Sequence, residues 1–180
     1  MIRIVLRFVL LLSLAASTLA LGGPASAGCC LEAMSDGQDV DGRLDLARLR
    51  YDKNGSNAPM HVKIRTHESW KPSVLEGHEN KLRVIIDADE DGSADYRARI
   101  RRVEGQFAVY MSGPGEQFET LTAHKPKPDS IVFTIPGGAP MNPGGTVNMK
   151  AVSTFIETLA CDPASGNPPC VDKVPNAGWL

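Results

Sequence analysis

The chain has 180 residues, 42% hydrophobic and 22% charged, with 19 basic against 21 acidic side chains and a formal net charge of −2. That balance excludes a binder of nucleic acid or anionic membrane built on overall positive charge, and the length is enough for one domain with a sizeable core. Its four cysteines, an even set, suit oxidised pairs in an exported chain better than metal ligands or a nucleophile.

Arg3 and Arg7 stand beside an apolar run over residues 8–21, and Ala25-Ser26-Ala27 supplies the small residues of a cleavage site. Residues 1–27 are therefore expected to be a signal peptide, with residues 28–180 as a single domain. The run falls short of the roughly 20 apolar residues that span a bilayer, and Gly22, Gly23 and Pro24 follow it. No transmembrane segment is expected in the mature chain. Ser26-Ala27-Gly28-Cys29 resembles a bacterial lipobox in its last three positions, but Ser26 stands where a branched apolar residue is required, so a lipid anchor at Cys29 is not expected. The mature protein is expected to be secreted or held on the extracellular face of the envelope.

Asp36, Asp39, Asp41 and Asp45, around Gly37 and Gly42, read as a polar edge entering the first strand, where charge discourages edge-to-edge association. The alternative is that one of them supplies a missing calcium ligand to the aspartate run over residues 87–95, should the first strand end near it. Leu44, Leu46, Leu49 and Tyr51 predict a first strand with an irregularity near Ala47, closed by the Asn54-Gly55 turn. Met60, Val62, Ile64 and Thr66 alternate on a second. Trp70 either fills the core or offers a platform for sugar.

Leu82, Val84 and Ile86 predict a strand that runs into an aspartate loop, and Tyr96, Ala98 and Ile100 lead out of it. Arg97, Arg99 and Arg101 share the other face of that strand, beside Arg102, and are expected on the solvated side of the sheet. Glu104-Gly105 turns the chain into Phe107, Val109 and Met111. A weak strand over residues 118–123, a strong one through Ile131, Phe133 and Ile135, and another through Val147, Met149 and Ala151 complete the series, with glycine and proline punctuation over residues 136–145. The tail from Asp162 reads as irregular, although Trp179 near its end suggests docking on the domain. No window keeps a helical stripe. The predicted fold is all-β: a single antiparallel β-sandwich of seven or eight strands with an Asp-rich loop between two of them.

The run DADEDGSAD carries the chemistry. Alternation sends Asp87, Asp89 and Asp91 toward one point, Gly92 permits the sharp bend, the Ser93 carbonyl can turn inward, and Asp95 closes a ring of oxygens suited to calcium. It is not an EF-hand, because Ala98 occupies the twelfth position, where that loop needs a glutamate, and strands flank the run. Weak affinity is expected, on the order of 10⁻⁴ to 10⁻³ M, as in extracellular modules. The alternative is a solvated turn without an ion. Two carboxylates about 5 Å apart repel by only about 0.8 kcal/mol in water but by about 3 kcal/mol at an effective dielectric constant of 20. The degree of burial therefore decides whether a cation is needed.

Among the cysteines, a Cys161 to Cys170 bridge would close a short loop made wholly of turn formers and contribute about 2.7 kcal/mol by loop entropy. It leaves Cys29 and Cys30 over, and a pairing of both N-terminal cysteines with the C-terminal two stays open. His61, His67, His78 and His124 lack metal-site spacing, and Ser69 lacks a nucleophile elbow. No catalytic residue is assigned.

Leu44-Asp45-Leu46, the stretch VIIDADEDGSADY and the closing residues 170–178 resemble small secreted actinobacterial β-sandwich proteins. These are broadly similar to the sandwich of DOMON domains and family 9 carbohydrate-binding modules. Haem-holding DOMON domains use methionine and histidine, whereas Met60 and His61 are adjacent and point to opposite faces. The reading is a secreted, non-catalytic, calcium-binding module with a carbohydrate or cell-envelope ligand. The alternative is a secreted hydrolase using an aspartate-bound calcium.

Overall fold

Strict apolar-polar alternation produces strands with one buried face, and such strands account for nearly all the regular structure. The computed structural model describes residues 30–55, 57–116, 118–138, 147–156, 161–175 and 178–179. The expected signal peptide, the question of a lipid at Cys29 and most of the 136–145 punctuation lie outside the described residues.

Among the described residues ten strands form: β1 (Cys30–Ser35), β2 (Leu46–Lys53), β3 (Met60–Thr66), β4 (Lys81–Asp87), β5 (Tyr96–Val103), β6 (Gln106–Ser112), β7 (Phe118–Lys127), β8 (Ser130–Ile135), β9 (Asn148–Phe155) and β10 (Cys170–Val174). They make one sheet in the order β1-β2-β3-β8-β7-β6-β5-β4-β9-β10. Every pairing is antiparallel. The sheet curls until β9 and β10 lie against β2, giving a nearly closed, barrel-like shell.

The all-β antiparallel class is as expected, but the sandwich of seven or eight strands is replaced by one curled sheet of ten. Alternation tells which face of a strand is buried; it does not tell whether the buried faces belong to two sheets or to one sheet bent over itself. The two additional strands lie at the ends of the sheet. β1 occupies the polar lead-in, and β10 occupies part of the tail that reads as irregular, where five residues after a proline pair are too few to declare a period.

Inside the shell, Tyr51, Phe133 and Phe155 are the largest fully buried side chains. Truncating an aromatic of this kind to alanine costs about 3–5 kcal/mol. Besides the β3–β8 and β4–β9 ladders, core contacts also tie the first half of the chain to the last. The Tyr51 hydroxyl donates to the Val147 carbonyl at 3.0 Å, and the Phe155 ring sits so close to Gly42 that a Cβ there would come within 2.1 Å of a ring carbon. The register shift between β2 and β3 falls at Ala47, between Leu46 and Arg48. Trp70 is only 4% exposed and meets Phe107 edge-on at 6.0 Å. It fills the core. Trp179 lies under the Lys150 ammonium at 3.9 Å.

Cys161 and Cys170 are joined, with Cα atoms 4.9 Å apart, and the bridge ends where β10 begins. That excludes a pairing of both N-terminal cysteines with the C-terminal two. Among the described residues no helix is long and apolar enough to cross a membrane.

Candidate metal centre

The strand β4 delivers Asp87 as its last residue, and β5 begins one residue after Asp95, so both ends of the aspartate loop are fixed by a paired ladder. The Asp95 amide donates to the Ile86 carbonyl at 2.9 Å, closing the loop at its base. Gly92 takes φ +89°, the left-handed conformation that its lack of a Cβ permits. Its amide then points back at Asp87 Oδ2, 3.0 Å away. Asn148, at the start of β9, donates its side-chain amide to the same oxygen at 3.3 Å.

Asp87, Asp89 and Asp95 each place an oxygen within 4.8 Å of the other two. Two oxygens held at about 2.3–2.6 Å from one calcium ion can be no farther apart than about 5 Å, so the three oxygens meet the separation that sharing one ion requires. Asp87 is fully buried, and among the described residues its Oδ1 has no hydrogen-bond partner. Burial pushes this carboxyl up, but hydrogen bonds from Asn148 and from the amides of Gly92, Glu90 and Asp91 outweigh it and hold Asp87 below the ordinary carboxylate range. The loop keeps the charge that a cation requires.

Other oxygens of the loop brace it. Asp95 Oδ2 accepts from the Ala88 amide at 2.7 Å, Asp89 Oδ1 from the Asp91 amide at 3.2 Å, and Asp91 Oδ1 from the Ser93 amide at 2.7 Å. Asp91 is exposed and stands outside the converging set of three carboxylates, and Ser93 is exposed as well.

A second carboxylate group forms where the ends of the curled sheet meet. Asp36 and Asp39, in the connection from β1 to β2, each bring an oxygen within 4.8 Å of one another and of Asp172 on β10. Asp172 is 2% exposed and accepts from the Leu46 amide at 2.5 Å and the Lys173 amide at 2.5 Å. Asp45 is fully buried against it. Burial first, then the Asp172 charge, raises Asp45 to about 6. Asp36 and Asp172 are also raised, each by burial first. Asp41 takes no part and is exposed. The aspartates between residues 36 and 45 were legible as a cluster, but Asp172 was not, because more than 120 residues separate it from Asp45 and only the closing of the sheet brings them together.

The outward face carries like charges directly across the ladder: Arg48 opposite Arg65, Arg50 opposite Lys63, and Arg83 opposite Arg99. Opposed like charges destabilise a sheet. Arg48, Arg50, Lys63 and Arg65 line a cleft of about 90 Å³, and Tyr110, 41% exposed, sits opposite Arg99. Arg97, Arg99 and Arg101 face away from the core, as alternation predicts, and Arg99 is held below its ordinary value by burial and then by Arg101 and Arg83. No family model, curated protein or solved structure matches the chain.

Proposed function

We infer that this chain is a non-catalytic, calcium-stabilised binding module of the cell exterior, and that its ligand is an acidic glycan of the envelope. One observation carries the calcium assignment: a fully buried, charged Asp87 whose Oδ1 has no partner among the described residues, with oxygens of Asp89 and Asp95 within one ion's reach. The leader-like N-terminus and the Cys161–Cys170 bridge support export. Calcium fixes the β4–β5 connection and thereby one end of the shell.

The ligand class follows from the outward face. Paired cations at Arg48, Arg65, Arg50 and Lys63 border a cleft with room for one carboxylate, sulfate or phosphate group, and the exposed Tyr110 beside Arg99 gives an aromatic surface for a sugar ring. Arg50 already pairs with Asp52 at 3.8 Å and Arg65 with Asp129 at 2.7 Å, so the excess positive charge that an acidic group would meet rests on Arg48 and Lys63.

Thermal melts in calcium and in chelator test the ion. Calcium should raise the midpoint of the wild type and leave Asp89→Asn unmoved; equal midpoints for the wild type across millimolar calcium would refute the site. A glycan array tests the ligand. Binding of acidic over neutral glycans, lost in Arg50→Glu, is expected, and retention of only neutral sugars would exclude the acidic class.

A further inference from the structure

We propose a second divalent-cation site, formed by Asp36, Asp39 and Asp172 with Asp45 behind them, that clasps the two ends of the curled sheet together. It stands independently of the aspartate loop. Asp36 and Asp39 come from the turn into β2, Asp45 from the residue before β2, and Asp172 from β10. Oxygens of Asp36, Asp39 and Asp172 lie within 4.8 Å of one another, as one calcium ion with bonds of about 2.3–2.6 Å requires.

Proximity of acids alone would not identify a site, since exposed carboxylates gather without ions. Asp45 supplies the separate observation. It is fully buried, and among the described residues no amide, hydroxyl or cationic donor meets either of its oxygens, while its carboxyl lies against that of Asp172, close enough for the two acids to share a proton. Its backbone is pinned at both ends: its amide donates to the Gly42 carbonyl at 3.1 Å, and its carbonyl accepts from the His67 amide at 2.9 Å. These bonds fix the backbone of Asp45, and its carboxyl faces that of Asp172. A buried carboxylate without a donor is costly unless a cation or a proton meets it, and the neighbouring oxygens are arranged to share a cation.

The position gives the ion a mechanical task. β10 is not laddered to β2; the sheet order puts them at opposite ends. Described links across that seam include the Leu46 amide to Asp172 hydrogen bond. An ion held by residues of both sides would join β10 to the β1–β2 connection without a backbone ladder.

Equilibrium dialysis of the folded protein with radiolabelled calcium near neutral pH, on four proteins, tests this. The wild type should bind two ions, Asp89→Asn one, Asp45→Asn one, and Asp39→Asn one. Asp39 is exposed, so its substitution tests the site without disturbing the core. Two ions in both Asp39→Asn and Asp45→Asn would overturn the second site. A single wild-type ion, lost in Asp89→Asn and kept in the other two, would also overturn it while upholding the loop. A single ion kept in Asp89→Asn and lost in Asp39→Asn would uphold the second site and refute the loop. Hydrogen exchange gives a separate reading: calcium should slow the Leu46 amide at least about tenfold in Asp89→Asn, and an unchanged rate would count against the clasp.

Discussion

The molecule holds two groups of aspartates that solve the same electrostatic problem in opposite ways. In the β4–β5 loop, backbone amides and Asn148 turn toward Asp87 and hold it ionised. At the seam, Asp45 has no such donors, and burial with Asp172 nearby drives it toward protonation. The loop is a short local motif whose own amides bend onto Asp87, whereas at the seam the Leu46 and Lys173 amides donate to Asp172 and none reaches Asp45. The loop meets its buried carboxylate with backbone donors; the seam leaves one of its buried carboxylates to a counter-charge or a proton.

The largest expected effect on this comparison comes from the disulfide, which anchors β10 just ahead of Asp172. Replacing Cys161 and Cys170 by serine should cost about 2.7 kcal/mol in denaturant unfolding. It should weaken calcium binding at the seam and leave the loop intact, and equal losses at both groups would break the distinction. Next comes the ion itself. With a dissociation constant between about 10⁻³ and 10⁻⁴ M, about 10 mM calcium should stabilise the protein by about 1.4 to 2.7 kcal/mol through the loop alone. Asp89→Asn should remove that increment in calorimetry.

The pH dependence separates the two groups by sign. Asp45, raised to about 6, holds a proton in the folded state at pH values where the unfolded chain has lost it. Without calcium, its contribution is therefore fully present below about pH 4 and is lost as pH rises to about 6. The groups facing it are Asp172 on β10, Asp39 in the connection before β2, and His67 after β3. Asp36 and Asp172 act in the same direction. Asp87 does the reverse: its stabilisation is present above the ordinary aspartate range and is lost as pH falls through its depressed folded value. Chelated protein melted from pH 4 to 7 should lose stability over that window, and Asp45→Asn should flatten the loss. A curve that rises through the window in both proteins would contradict the assignment. The smallest effect is expected at Asp41, exposed and outside the cluster: Asp41→Asn should change stability by less than about 0.5 kcal/mol and calcium binding not at all.

Much of this was legible in the sequence, and the limits have physical causes. Eight strands announce themselves through residues such as Val62, Ile64, Leu82 and Val84, because one buried face imposes a period of two. The bend at Gly92 and the aspartates on either side of it are local, so spacing alone reveals them. The ladder order, the curl of the sheet and the strands β1 and β10 depend on pairing between distant residues, which no local period encodes. Asp172 belongs to that category: a single aspartate in a five-residue strand gains its meaning only from Leu46 and Asp45.

The most direct measurement is a crystal structure grown in calcium. The expected result is an ion in the β4–β5 loop bonded at about 2.3–2.6 Å to oxygens of Asp87, Asp89 and Asp95. A loop holding only water at millimolar calcium, with Asp89 and Asp95 turned out to solvent, would contradict it.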